Sequence, residues 1–591
     1  MRNIHQSNDA TIKPNWKVIA QLWPYLVEYK YRVLVALLFL IAAKIANVAI
    51  PIALKHLVDS LDSVSHAALV VPVALILGYG ALRFMSVFFG ELRDAIFARV
   101  AERAMRRASL DVFQHLHQLD LNFHLGRKTG AVARDIERGT SGISFLLRFL
   151  VFNIVPTLFE IALVAGVLWQ QFSVSYVLAV LLAVTFYVVY SVIVTEWRTR
   201  FVREANEQDN RSNHRAMDSL LNFETVKYFS AEIREANEYD IHLQAWEKSR
   251  IKNRLSLAAL NSGQAAIIAL AVTAVMYMAA QEVTAGTMTL GDFVMINAFM
   301  GQVFIPLNFL GFVYREIRQA LVNIEKMLGL LAEKGAVVDT VDAMPLQVKA
   351  GEVVFNHVQF GYHANRTILS DVVFTLPAGK KTAVVGASGQ GKSTLSKLLF
   401  RFYDVNAGEI LIDGQNIKAV TQASLRSMIG VVPQDTVLFN DTLKYNVAYG
   451  DPSASEQDIT EAMSMANLDD FIARLPDGAL TQVGERGLKV SGGEKQRIAI
   501  ARVLLKKPKI LIFDEATSAL DSHSEKEIMA AINHVSVNRT TLIIAHRLST
   551  VCDADKIVVL NNGVIVEQGN HEQLLTLSGC YAALWTAQKN Q

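Results

Sequence analysis

Eight residues in the second half of the chain, Gly386-Ala387-Ser388-Gly389-Gln390-Gly391-Lys392-Ser393, have the composition and spacing of a loop that wraps phosphate. Backbone N–H groups between the glycines can converge on an anion, the lysine can reach β and γ oxygens, and the serine hydroxyl is a hard ligand for Mg2+. Thr394 follows in the first turn of the expected helix and completes the candidate cofactor-binding run. Downstream, Ile510-Leu511-Ile512-Phe513 reads as a buried strand that ends in two carboxylates, Asp514 and Glu515. Asp514 suits the Mg2+ shell together with Ser393, and Glu515 suits orienting or deprotonating an attacking water. A loop of this pattern arises by chance in a chain of this length at about the per-cent level. Paired acids at a strand end are commoner and gain their meaning from lying after the loop. The chemistry implied is hydrolysis of a nucleoside triphosphate, with ATP the first ligand to consider and Mg2+ its cofactor.

These residues need elements to hold them. Thr382–Val385 is an apolar strand that would deliver the loop to a helix N-terminus, and alternation from Val353 to Phe360 opens a mixed α/β domain. Between loop and acids lies Val490-Ser491-Gly492-Gly493-Glu494-Lys495-Gln496, whose serine and glycines would form a second donor-rich helix start aimed at a γ-phosphate. This run resembles the signature motif of ABC transporters in its Glu-Lys-Gln variant. The resemblance extends to Tyr362 as an aromatic platform for adenine and to Gln434 in Val-Pro-Gln-Asp, a loop glutamine that would sense Mg2+. It also takes in Gly484-Glu485-Arg486-Gly487, Ser518-Ala519-Leu520-Asp521 and His546 in Ile-Ile-Ala-His-Arg, a contact for the γ-phosphate, and so covers most of residues 350–580. It implies that Ser491, Gly492, Gly493 and Glu494 meet nucleotide held by a second copy. One cassette per chain would then act as a homodimer with shared ATP sites, and Glu515, His546 and Gln434 would be the catalytic set.

The first half has a different composition. The 591-residue chain is 52% hydrophobic and only 19% charged, too apolar for two soluble domains, and the excess lies before about residue 316. Six spans are expected at 33–53, 68–90, 145–168, 174–194, 257–280 and 293–314. Lys and Arg are missing from 57–82, 170–176 and 280–291 but dense in 93–138 and 198–254, which puts both termini and the two long polar segments on the cytosolic side. Those segments are helix-patterned with few Gly or Pro. They read as extensions of the spans, ending in turns near 125–139 and 222–229 able to touch the cassette. The expected architecture is therefore membrane α-helical, six transmembrane helices with long cytosolic extensions, fused to an α/β P-loop cassette. Its parts are an N-terminal segment 1–32 with a surface helix near 16–25, a membrane domain 33–331, a linker 332–349 and a nucleotide domain 350–591. A net charge of +2 is too small to suggest a nucleic-acid partner, and none is expected; Cys552 and Cys580 have neither metal-ligand nor disulfide-framework spacing. Residues 1–15 lack both a signal-peptide core and transit-peptide character, which points to a bacterial inner membrane.

Six spans ahead of one cassette resemble an exporter half-transporter. The runs Thr195-Glu196-Trp197-Arg198-Thr199-Arg200, 218–229 and Pro306-Leu307-Asn308-Phe309-Leu310-Gly311-Phe312-Val313-Tyr314-Arg315 are similar to mitochondrial iron-sulfur-linked exporters and their bacterial heavy-metal-tolerance relatives. That resemblance implies export of glutathione, its conjugates or metal-thiol compounds. Helical spacing agrees with a polar pocket. Asn308, Gly311, Phe312 and Arg315 share one face of the sixth span, Asn261 and Gln264 share a face of the fifth, and Tyr187 aligns with Arg198 about three turns on. With Phe309 these are the candidate substrate-binding residues, since polar groups at membrane depth need a cavity or a partner. Lys44, in the first span, should also face the interior. The family pattern has a second arginine one turn after Arg198, whereas this chain has Val202, so a second cation would have to come from Arg200 or Arg203. The alternative within transport is a lipid or multidrug flippase with an apolar cavity. A non-transport regulatory ATPase disagrees with the complete catalytic set.

Overall fold

The computed structural model describes residues 17–62, 71–127, 129–307, 310–363, 365–483, 490–515 and 522–589. They divide into two compact units. The first comprises the chain up to Gln118 together with Arg127–Glu333, and the second comprises Leu119–Gly126 together with Lys334 onward.

The first unit is all helix. A short α1 (Lys17–Val27) precedes α2 (Lys30–Asp62) and α3 (Val73–Gln118). After α4 (Leu121–Gly126), which belongs to the second unit, come α5 (Thr129–Phe149), a π turn at Leu150–Ile154, α6 (Val155–Gln171), α7 (Val174–Leu221), α8 (Phe223–Tyr228), α9 (Glu232–Thr284), α10 (Leu290–Leu307) and α11 (Leu310–Gly329). Among the described residues, six helical stretches are long and apolar enough to cross a membrane. The expected extensions are present, because α3, α7 and α9 contain 46, 48 and 53 residues. At 1.5 Å per residue α7 runs roughly 70 Å, more than twice a hydrocarbon core. Of the expected sixth span, 293–314, α10 covers the residues to Leu307 and α11 those from Leu310, while 308–309 lie outside the described residues; Pro306 removes one N–H from the last described turn of α10.

Inside this bundle α7 packs along α9 and α2 along α3. Gly263 on α9 permits the first of these contacts, since a Cβ there would fall 1.9 Å from the Tyr190 hydroxyl. That hydroxyl donates to the Ala259 carbonyl at 2.9 Å. Lys44 does face the interior, where its ammonium meets Glu160, itself only 2% exposed, at 2.6 Å, and Asn47 donates to the other carboxylate oxygen. Burying that carboxylate alone would be costly; the cation and amide offset the loss of water.

The second unit is built on β1 (Val353–Phe360), β2 (Leu369–Leu376), β3 (Lys381–Val385), β4 (Ala407–Ile412), β5 (Gln415–Asn416), β6 (Ile429–Val432), β7 (Asp441–Thr442), β8 (Gln482–Val483), β9 (Ile510–Asp514), β10 (Thr540–Ile544), β11 (Lys556–Asn561) and β12 (Val564–Gly569). The larger sheet has the order β12-β11-β3-β10-β9-β6, parallel except for β12, and a smaller antiparallel sheet has the order β2-β1-β4-β5. The apolar runs of β3, β9 and β10 are covered on both faces, as a parallel sheet flanked by helices requires. Ile544 stands opposite Val384 on one side and Asp514 on the other, so the carboxyl ends of β3, β9 and β10 finish level. Open α/β sheets place their ligands at such ends.

The linker is fastened to this unit. Arg401 is wholly buried and pairs with Asp339 at 3.2 Å and Asp404 at 3.1 Å, and its guanidinium also donates to the Val338 and Val420 carbonyls. Asp413 accepts from four consecutive backbone N–H groups, Lys349 to Glu352.

Candidate functional site

The candidate nucleotide site lies where β3, β9 and β10 end. Gly386 leaves β3 with φ 154°, and a Cβ there would fall 2.2 Å from the Leu560 carbonyl oxygen, so only glycine lets the loop turn this close to β11. Ala387, Ser388 and Gly389 form the exposed crest. Gln390 accepts from the Asn562 N–H and ties the crest to the β11–β12 turn. Gly391 caps the helix Lys392–Leu399, whose first-turn N–H groups are directed at the loop.

Lys392 is 4% exposed and folds over the loop, donating to the Gly386 carbonyl at 2.9 Å and the Ala387 carbonyl at 3.0 Å. Burial lowers its pKa below the ordinary lysine value, opposed by the nearby carboxylates of Glu515 and Asp514. Ser393 Oγ donates to Asp514 Oδ1 at 2.9 Å, and Ser396 Oγ to Oδ2 at 3.1 Å. A hydroxyl and a carboxylate held this close are a hard-oxygen pair of the kind Mg2+ takes, so the residues fit that ion.

Glu515 is the most constrained residue of the group. It is a non-glycine residue with φ 52°, in the left-handed region, and its N–H donates to the Ile544 carbonyl at 2.9 Å. Such conformations persist where the surroundings over-determine the backbone. Both carboxylate oxygens are engaged: Oε1 lies 2.6 Å from His546 Nε2 and Oε2 accepts from Gln434 Nε2 at 2.6 Å. The structure thus brings together all three residues expected to act in hydrolysis. Tyr362 stands at the edge of the site, its hydroxyl 3.2 Å from Thr394 Oγ1 and its ring edge-on to Tyr403 at 5.2 Å.

The signature run begins the helix Gly492–Lys506. Ser491 is its N-cap, and with Glu494 it forms a capping box in which each residue's side chain accepts from the other's backbone N–H. Glu494, expected to contact nucleotide, therefore serves its own helix here. One residue left without a role by the sequence reading is Gln496. Its amide donates to the Pro433 and Gln434 carbonyls at 3.1 and 2.7 Å, so the signature helix buttresses the glutamine loop. The motif spacing contained this residue, but only the fold shows which carbonyls it meets. Gly484-Glu485-Arg486-Gly487 and Ser518-Ala519-Leu520-Asp521 lie outside the described residues.

A second site lies in the helical unit. A cavity of about 860 Å3 opens between α7 and α9, walled by Arg198, Asn261 and Gln264 with Phe312 of α11 at its side. Arg198 is 4% exposed and donates to Ser256 Oγ at 3.2 Å and Asn253 Oδ1 at 3.4 Å, while Gln264 donates to Ser191 Oγ at 2.7 Å. Tyr187 does not join them. It is wholly buried against Phe304, its hydroxyl donates to the Leu307 carbonyl at 2.9 Å, and it supports the packing of α7 on α10. Asn308 and Phe309 lie outside the described residues, as do the surroundings of Gly311 and the side chain of Arg315. Neither Arg200 nor Arg203 lines the cavity as a second cation. Arg200 stacks instead on Phe201 and Trp197, at 4.5 and 5.3 Å. The cavity's further cations are Arg250 and Arg254 of α9, which the sequence alone marked only as positive charge beside a span.

Comparison with known proteins agrees with both halves. The profile of the ABC transporter transmembrane region matches residues 33–307, and that described as ABC transporter matches residues 369–518. The Iron-sulfur clusters transporter atm1, mitochondrial, of Aspergillus fumigatus is 47% identical across 99% of this chain and 82% of its own length. The Iron-sulfur clusters transporter ABCB7, mitochondrial, of Homo sapiens is 46% identical across 97% and 78%. A solved structure described as a bacterial Atm1-family ABC exporter with ATP bound is 46% identical and superposes with a TM-score of 0.82, covering 95% of this chain and 98% of that one.

Proposed function

Because the chain belongs to the Atm1 family of ABC exporters, integral membrane half-transporters in which ATP hydrolysis is coupled to transport, we propose that it exports glutathione, glutathione conjugates or related metal-thiol compounds as a homodimer. The supporting observation is the cavity on α7 and α9. Guanidinium groups and side-chain amides suit the carboxylates and peptide bonds of a thiol peptide better than they suit an acyl chain. The cargo in the relatives' names, iron-sulfur clusters, is of compatible metal-thiol chemistry. The arginine-rich segments support a cassette on the cytoplasmic side of the membrane.

In this reading Tyr362 stacks on adenine and the N–H groups of 389–393 hold the β-phosphate. Lys392 leaves its carbonyl partners for the β and γ oxygens. Ser393, Asp514 and Gln434 would hold Mg2+, which neutralises charge building on the phosphates. Glu515 orients and deprotonates the attacking water. His546 and Gln434 hold both its oxygens here, so one must yield when substrate enters, and a γ-phosphate is the natural new partner for His546. Ser491, Gly492 and Gly493 present the start of the signature helix to nucleotide held by the second copy. Exposed Leu220, Leu221, Tyr228 and Phe229 around α8 leave apolar surface for that copy to cover.

The test is purified protein in liposomes, following ATPase stimulation and uptake with reduced glutathione, oxidised glutathione and metal conjugates. Stimulation with saturable uptake is expected. Stimulation by lipids and by no thiol peptide would sink the reading, and so would a monomer that hydrolyses ATP at full rate.

A further inference from the structure

The lining of the α7–α9 cavity is asymmetric. On α9, Arg250, Arg254, Leu257, Asn261 and Gln264 recur at steps of three or four residues, forming one stripe that faces the cavity. The stripe runs roughly 20 Å at 1.5 Å per residue, from two guanidinium groups at one end to two carboxamides at the other. From α7 the cavity receives one cation, Arg198, and one turn further along that helix stands Val202, an uncharged residue. Among the described residues, two of its three guanidinium groups therefore come from α9, and Glu247 is the one carboxylate on the lining.

The three arginines are not equivalent. Arg198 is buried and already holds Asn253 and Ser256. Arg250 stacks on Trp246 at 4.8 Å, which fixes its direction while leaving its N–H groups open. Arg254 is exposed to the cavity and makes no hydrogen bond or ion pair among the described residues. Residues one helical turn apart place their Cβ atoms about 6 Å from each other, so Arg250 and Arg254 repel until an anion bridges them. Guanidinium pairs of this kind bind carboxylates bidentately, in a geometry a lysine does not reproduce.

We propose that Arg250 and Arg254 are the charge-reading residues of this cavity, selecting cargo that carries two or more carboxylates and setting the orientation in which its anionic end enters. The inference rests on the export reading above and adds to it which helix recognises charge. An unmodified thiol tripeptide with two free carboxylates satisfies this rule, and its diester, identical in thiol and backbone, does not.

The two are compared on the full-length protein in liposomes, by the concentration giving half-maximal ATPase stimulation and by uptake. The wild type should prefer reduced glutathione to its diethyl ester. Arg254→Gln should raise the half-maximal concentration for the diacid about tenfold, the worth of one charge-assisted hydrogen bond, while leaving that for the diester in place. Arg250→Gln should shift in the same direction, and Arg254→Lys should recover part of the preference. These two keep the question answerable if Arg254→Gln folds poorly. Equal shifts for acid and ester, or none for either, would overturn the role of α9 and leave the export reading standing. A wild type indifferent to every thiol peptide would overturn both.

Discussion

In the cassette, the groups proposed to act on phosphate already touch one another. Glu515 is held by His546 and Gln434, Asp514 by Ser393 and Ser396, and Lys392 by the carbonyls of its own loop. In the cavity of the helical unit the polar groups stand on two long helices around about 860 Å3 of space, and Arg254 has no hydrogen bond or ion pair among the described residues. The cassette serves a ligand whose charges and geometry never vary, so its parts can be preorganised to small tolerances. On the export reading proposed here, the cavity must release what it binds and must change shape as access alternates. Its contacts are therefore fewer and wider apart, and each should matter less.

The sharpest break of that comparison is at Glu515. Glu515→Gln keeps the size and one hydrogen-bonding oxygen but removes the base, and general-base catalysis contributes about a hundredfold to ten-thousandfold. Hydrolysis should fall by that order while ATP-bound dimer accumulates, as read by steady-state ATPase and by size-exclusion with retained nucleotide. Residual hydrolysis within a few-fold of wild type would reassign the base.

Next is Arg401, the buried hub of the linker. Arg401→Met strands Asp339 and Asp404 without their cation and leaves the Val338 and Val420 carbonyls short of a donor. Losing one partner of a buried ion pair costs about 3 kcal/mol. The cassette transition in thermal unfolding of the detergent-solubilised chain should drop while that of the helical unit holds. A common drop in both would show that the two units do not unfold independently.

How much of this was legible in the sequence differs between the halves for the same reason. Phosphate chemistry fixes contiguous spacing, so Gly386 to Ser393, Asp514–Glu515 and the signature run could be read directly. Cavity residues lie on helices whose orientation depends on what packs around them. Tyr187 shares a helical face with Arg198, yet three turns away that face is covered by α10, and the tyrosine becomes core. Arg250 and Arg254 look in sequence like any cations at a membrane edge, and only the packing of α7 on α9 turns them towards a pocket. Arg401 had no signal at all, because its partners lie 62 residues upstream and within the next turn. Glu494 was expected to meet nucleotide, and its place three residues after Ser491 serves instead a capping box that closes the start of its own helix.

A smaller effect is expected at Arg198. Its Nε and terminal N–H groups are committed to Ser256 and Asn253, so Arg198→Ala loosens the α7–α9 contact as well as removing charge. Substrate-stimulated ATPase should need about tenfold more thiol peptide, and nucleotide affinity should not change. A fall in ATP affinity would contradict the separation of the two sites drawn above.

The smallest effect concerns how the cassette holds its linker against acid. Burial alone would raise the pKa of Asp413, but backbone N–H groups from Gly351, Lys349, Glu352 and Ala350 outweigh it and hold the value below that of an ordinary aspartate. The folded pKa is then lower than the unfolded one, so folding releases protons as pH falls and the stabilisation is fully present above the unfolded value of about 4. It is lost as pH drops through the lowered folded value. Asp413→Asn keeps one acceptor oxygen and loses the charge, which should cost about 1 kcal/mol at neutral pH. The difference between variant and wild type should shrink below pH about 4, where the wild-type carboxylate begins to protonate in the unfolded chain. The cassette transition measured from neutral to acid pH checks this directly. A difference that stays constant across that range would mean that Asp413 holds the linker by shape rather than by charge, and the contrast between a charge-fixed cassette and a loosely held cavity would then rest on the nucleotide site alone.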